Sequence, residues 1–193
     1  VEVDVLPLQS LVDLGLIELL VATELDRADA RTLADDRLHD HPAGITRLNE
    51  MLLIWNAVIH GIRYTLDAAG GNEAGDAGPK DAWQTAAETQ QLGTGDCEDS
   101  SIYLTDWLIA RGFDARLVIG HYAERGGHAW VIVRLEGLTY LLESTNRDAD
   151  MSRPPLLDDV GSRYVPESMI DREGFHTRGN PSAPWDGDYW SQG

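Results

Sequence analysis

Between Ala115 and Glu143 the chain carries three apolar runs, Ala115 to Tyr122, His128 to Leu135 and Thr139 to Glu143. Only Glu124-Arg125-Gly126-Gly127 and Glu136-Gly137 separate them. Turn-like links of that length predict three consecutive antiparallel strands. The second link fixes more than connectivity. If Glu136-Gly137 is a two-residue hairpin loop, Leu135 faces Leu138 and His128 faces Thr145, which makes Glu143 a diagonal neighbour on the same face as His128. A three-residue loop without a bulge would flip the parity and turn Glu143 away from the imidazole. Just upstream, Cys97 to Arg111 reads as a helix with Leu104, Trp107 and Leu108 on its buried side and Gly112 at the C′ position.

Earlier in the chain, Ile45, Leu48, Leu52, Trp55, Ile59, Ile62 and Leu66 recur at steps of three and four, predicting a helix that Gly70 and Gly71 stop. This stripe is expected to be a seam within the molecule rather than a coiled coil. Residues 8 to 25 form a further amphipathic pattern, and the charged run after it ends at Pro42. The Gly/Ala/Asp stretch over residues 70 to 81 lacks the ligand spacing of an EF-hand and reads as a connector. A short helix from Asp81, containing Trp83 and Glu88, leads to Gly93. From Ser152 the chain is rich in Pro and Gly and is expected to be irregular, with a tail packing through Trp185, Tyr189 and Trp190. At 193 residues the expectation is one domain: a helical part over 1–70, a core over 81–145 and an irregular segment over 152–193.

The formal charge of −18 argues against nucleic acid as a partner, because phosphate backbones are bound by clustered Lys and Arg. The most apolar stretch, Leu11 to Ala22, contains Asp13 and Glu18 and is too short to span a bilayer. No positively charged region precedes an apolar one, so a signal peptide is expected to be absent or already removed, and both periplasm and cytoplasm stay open. With a single cysteine there is no intramolecular disulfide framework and no multi-thiolate metal site.

That cysteine stands in Gly95-Asp96-Cys97-Glu98-Asp99. At a helix N-terminus, free N–H groups and the macrodipole favour a thiolate, while flanking acids oppose one. His128, opening a strand whose ladder would hold its ring, is the candidate base, and Glu143 the acid that orients it. Nucleophile, base and orienter in this order follow the logic of a Cys-His-acid triad. Taken singly, each has a plainer role: a buried thiol, a strand histidine, a surface carboxylate. His39-Asp40-His41 offers metal-ligand chemistry, but two His and one Asp make a thin site.

The segments AWQTAAETQQLGTGDCEDSSIYLTDWLIARGFDARLVIG, GGHAWVIV and YLLEST resemble the transglutaminase-like superfamily, in particular the bacterial transglutaminase-like cysteine peptidases, over residues from about Asn56 to Thr145. The resemblance implies an α+β, papain-like fold in which a Cys-bearing helix packs on an antiparallel sheet. It further implies Cys97 as nucleophile, His128 as base and Glu143 as orienting acid, where many members have Asp. For the calcium-dependent, periplasmic members it implies that Asp96 and Glu98, the acids flanking the cysteine, hold Ca²⁺; the alternative is that these acids merely complement the positive helix end. Candidate oxyanion donors are the Cys97 backbone N–H and the indole of Trp83, which otherwise reads as core. The implied activity is hydrolysis of peptide or amide bonds in a protein or peptide substrate through a thioester. Acyl transfer to an amine and a non-catalytic scaffold that keeps the fold are the rivals.

Overall fold

The computed structural model describes residues 46–67, 83–123, 126–177 and 190. The pattern at 8–25, the charged run with His39-Asp40-His41, the stretch at 70–81, and Trp185 and Tyr189 lie outside the described residues.

Thr46 opens the first helix, α1 (Arg47–Gly61), its hydroxyl accepting the Asn49 N–H at 3.2 Å. Leu48, Leu52, Trp55, Ile59 and Ile62 of the expected stripe are buried, and so are Met51, Ile54 and Val58. The helix stops at Gly61 instead of running to Gly70, and Leu66 is 70% exposed. A competing ladder ends it. Arg63 and Tyr64 form a short strand, β1 (Arg63–Tyr64), parallel to β2 (Thr94–Gly95). The Arg63 and Thr65 N–H groups donate to the carbonyls of Gly93 and Gly95 at 2.9 and 3.0 Å.

Helix α2 (Ala86–Leu92) begins later than expected, at a reciprocal cap between Thr85 and Glu88. Trp83 therefore precedes the helix, and at 46% exposure it is not core. Helix α3 (Cys97–Ala110) carries Cys97 as its first residue, after Asp96 at the N-cap. It ends as predicted, with Gly112 at φ +75 and the N–H groups of Phe113 and Gly112 bonded to the carbonyls of Leu108 and Ile109.

The three predicted strands are β3 (Asp114–Tyr122), β4 (Gly127–Leu135) and β5 (Leu138–Leu142), antiparallel in sequence. Leu135 pairs with Leu138 across a two-residue turn in which Glu136 has φ +53 and Gly137 φ +81, both in the left-handed region that matches strand twist. The segment after Ser152 is not irregular. It forms α4 (Leu157–Val160), a 3₁₀ turn over Gly161–Arg163, and strands β6 (Tyr164–Ile170) and β7 (Phe175–Thr177), giving the sheet order β5-β4-β3-β6-β7. Pro166 has no N–H to give to a ladder, and proline is rare inside a sheet. The sheet accommodates it at a register shift: Ile119 pairs with Ser168 and Gly120 with Pro166, leaving Glu167 as the extra residue. Gly120 is what permits that approach, since a Cβ there would lie 2.1 Å from the Val165 carbonyl oxygen.

Alternation along the strands divides the core. One face, with Ala115, Val131, Val133 and Leu142, packs on α1 and α3 through Trp55, Val58, Leu104 and Leu108. The other collects Val118, Trp130, Ile132, Leu141, Tyr164 and Met169. Each large aliphatic side chain buried there contributes about 2 kcal/mol of transfer free energy. Trp190 packs as expected, its indole donating to the Thr139 hydroxyl at 3.1 Å with the Arg116 and Arg134 guanidinium groups over its ring.

Candidate active site

Two pieces of local structure bring the chemical groups to one place: the N-terminus of α3 and the open end of the β4–β5 hairpin. The hairpin register does what its turn demands. The Nε2 atom of His128 lies 2.9 and 2.8 Å from the two carboxylate oxygens of Glu143. Both side chains are 16% exposed. His128 is packed among rings, with Tyr122 at 5.9 Å and Trp130 at 6.2 Å between centroids. Tyr164 contacts both of those rings, at 4.6 and 5.1 Å. Its phenol donates a hydrogen bond to Glu143, and burial, followed by the Glu143 charge, pushes its own pKa well above the usual tyrosine range. The acid is braced through its backbone as well, because the Trp55 indole N–H donates to the Glu143 carbonyl at 2.9 Å.

Cys97 is half-buried, and the Ala129 N–H, one residue from His128, acts on its sulfur in the direction that favours the thiolate. The thiol itself donates to Glu98 Oε2 at 3.0 Å, so the sulfur is bonded to its neighbouring acid and not to the imidazole. Burial is the largest influence on this thiol, followed by the bond to Glu98 and the Glu98 charge; together they push its pKa up to about 12 against the opposing pull of the Ala129 N–H. The thiolate expected from the helix N-terminus is therefore not the favoured form here. The helix end favours an anion by about 0.3–1 kcal/mol, less than a carboxylate in direct contact opposes it.

The three acids around the cysteine do different things. Asp99 is structural: its carboxylate accepts the Gln84 N–H at 2.7 Å and the Asp96 N–H at 3.3 Å, and it lies so close to Gly95 that a Cβ there would come within 2.5 Å of the Asp99 Cβ. Asp96 is buried, with Oδ1 lacking any hydrogen-bond partner, and burial raises its pKa, with Asp99 and Asp67 adding to the rise. Ligand atoms of Asp96, Cys97 and Glu98 all lie within 4.8 Å of one another. An orphaned buried carboxylate oxygen beside a second carboxylate fits a hard cation, which takes oxygen ligands. The sequence pattern did not mark Tyr64 and Asp67, which β1 brings to this end: Tyr64 is held above its ordinary pKa by burial and then by the charges of Cys97, Asp96 and Glu98. A two-residue strand leaves no periodicity to read. Nor was Tyr164 marked, since it opens the strand that Pro166 disguised.

Beside Glu143 lies a cavity of about 310 Å³ whose lining includes Tyr122, Leu141, Arg153, Arg163 and Tyr164. Among the described residues no helix is long and apolar enough to cross a membrane.

The sequence matches the CEP76 peptidase-like domain family over residues 81–153, the stretch that holds Cys97, His128 and Glu143. No curated protein matches. Calcium-bound LapG of Legionella pneumophila superposes with a TM-score of 0.57 at 19% identity, over 89% of this chain and 92% of that one. EGTA-treated LapG gives 0.45 at 15% identity, over 87% of this chain and 94% of that one. A TGase gives 0.42 at 14% identity, over 75% and 34%. The first of these shows that the chain shares the fold of LapG, a mixture of helices and an antiparallel sheet. The two weaker superpositions add nothing to it.

Proposed function

We propose that the protein is a cysteine-dependent hydrolase of peptide or amide bonds, with Cys97 as nucleophile, His128 as base and Glu143 as the acid that orients the imidazole. The observation that carries this is the pairing of His128 Nε2 with both oxygens of Glu143, on a strand whose next residue, Ala129, has an N–H that favours the Cys97 thiolate. With Nε2 engaged, Nδ1 is the ring nitrogen that takes the thiol proton. The sulfur then attacks the carbonyl carbon, and the carbonyl π electrons move onto oxygen. The Cys97 N–H at the helix end is the proposed oxyanion donor; half-exposed Trp83 is the candidate second. Collapse of the tetrahedral intermediate breaks the C–N bond as His128 returns the proton to the leaving amine, giving a thioester. Water, deprotonated by the same imidazole, releases the acid and restores the thiol.

Glu98 competes with His128 for the thiol proton in this arrangement. Asp96 and Glu98 are the residues that would hold Ca²⁺, with Asp67 and Tyr64 close by. Bound there, the ion would supply positive charge that stabilises the thiolate. LapG, which superposes in a calcium-bound form, supports that choice of ion. A protein or peptide is the proposed substrate class.

The test is hydrolysis of fluorescein-labelled casein in calcium buffer. Cys97→Ala should abolish it, and Glu143→Gln should lower kcat by roughly 10²–10⁴, as expected when a triad loses the acid that sets the histidine tautomer. A glutamine peptide that forms an adduct with a primary amine, without being cleaved, would replace hydrolysis by acyl transfer.

A further inference from the structure

Ser101 lies one helical turn after Cys97, and Ser144 directly follows Glu143. Their hydroxyls share a hydrogen bond of 2.9 Å, at 0% and 3% exposure. On the other side of Glu143, the indole of Trp55, itself 1% exposed, donates to the Glu143 carbonyl at 2.9 Å. The β4–β5 ladder ends at the pair Val131 and Leu142, so no strand hydrogen bonds hold the chain at Glu143. Besides the Tyr164 phenol on its carboxylate, two contacts hold it, one from the helix that carries the cysteine and one from α1.

A hydroxyl pair in such a place is a poor device for stability. Both groups give up water, and replacing both partners by apolar groups of similar shape is close to neutral, whereas replacing one leaves the other unsatisfied. What a hydrogen bond supplies and an apolar contact does not is direction: it sets the distance and orientation between α3 and the residue after Glu143. We propose that Ser101, Ser144 and Trp55 are positioning residues that hold Glu143 onto His128 and in fixed relation to the helix bearing Cys97. This rests on the assignment of Cys97, His128 and Glu143 as the reacting set, and it assigns the three residues no contact with substrate.

The experiment separates stability from positioning. Ser101→Ala and Ser144→Ala should each lower the melting temperature, and the double variant should recover most of the loss. In the wild type, the proton on His128 Nε2 should give a downfield NMR resonance, assigned by its absence in His128→Gln. The double variant and Trp55→Phe, which keeps the ring and removes the donor, should lose that resonance to solvent exchange. Their kcat on labelled casein should fall at least ten-fold, with KM changed less than two-fold. A double variant that keeps the resonance at the wild-type position and intensity overturns the proposal, as does a wild type without it. If the resonance behaves as expected while the wild type leaves casein intact, positioning of Glu143 stands and the hydrolase assignment fails.

Discussion

In calcium-free buffer, Glu98→Gln should accelerate alkylation of Cys97 by iodoacetamide about two- to eight-fold at pH 8. Cys97 is the chain's one cysteine, so the label reports a single site. Burial is the first cause of its raised pKa, and a nearly isosteric glutamine leaves burial unchanged. The second and third causes both belong to Glu98, as acceptor and as charge, and the substitution removes both. Unit charges about 4 Å apart interact by about 4 kcal/mol at an effective dielectric of ~20. Because Cys97 is partly solvated, screening reduces this to on the order of 1–2 kcal/mol, and about 1.4 kcal/mol is one factor of ten in thiolate. The less basic thiolate is also less nucleophilic, with a Brønsted slope of about 0.4–0.5, so the rate gains less than the population does. The sign in pH follows: reaction needs thiolate, and with the thiol pushed up to about 12 the wild-type rate in chelator should climb through pH 10 without levelling. An ordinary thiol levels off above roughly 8.5. A wild-type profile that levels below that value in chelator, or a Glu98→Gln rate equal to wild type, would refute the assignment of Glu98 as the group that holds the thiol.

Calcium should raise the melting temperature of the wild type and leave Asp96→Ala unmoved, since an ion that binds only the folded state stabilises it by mass action; a wild type indifferent to both calcium and chelator would remove the ion from the site. Gly120→Ala should cost about 3 kcal/mol or more in urea denaturation, because its Cβ would fall 2.1 Å from a backbone oxygen of the neighbouring strand; a loss under about 1 kcal/mol would mean the strands part easily there. Glu136→Gly should stabilise the hairpin by up to about 1 kcal/mol, relieving the left-handed φ of +53 that a glutamate holds at some cost, and an unchanged melting temperature would contradict that.

The geometry of the candidate site was legible in the sequence where local rules act alone. Two residues, Glu136 and Gly137, fixed the parity that carries Glu143 to His128, and a hairpin turn of that kind is decided by local backbone preference. Gly112 ended α3 for the same reason. The sequence failed where a distant partner decides. The stripe of α1 continued to Leu66 on paper, yet pairing with residues 93–95 drew the chain out of the helix at Ile62. The strand holding Tyr164 was hidden because Pro166 is tolerated only at a bulge, and that bulge depends on a glycine 46 residues away in sequence. Composition carries neither fact. The acids around Cys97 were visible as a cluster, but their division of labour was not: it is set by the Gln84 and Asp96 N–H groups that occupy Asp99 and by the absence of any partner for Asp96 Oδ1.

That division bears on why the chain's single sulfur stands among carboxylates. A helix N-terminus offers an anion about 0.3–1 kcal/mol, reaching ~2 kcal/mol in partly buried geometries. Against it stand burial and a carboxylate that accepts the thiol's own proton at 3.0 Å. Of the three, only the carboxylate can change sign, because burial and the helix end are properties of the fold. A positive charge held by Asp96 and Glu98 would turn the same group from the thiolate's nearest repulsion into part of its stabilisation. An uncharged pair at 96 and 98 would leave the thiol less suppressed at rest, but with nothing for an ion to reverse. Asp96→Asn with Glu98→Gln should therefore alkylate faster than wild type in chelator and show no response to calcium. A double variant whose alkylation still rises on adding calcium would mean that the ion acts elsewhere.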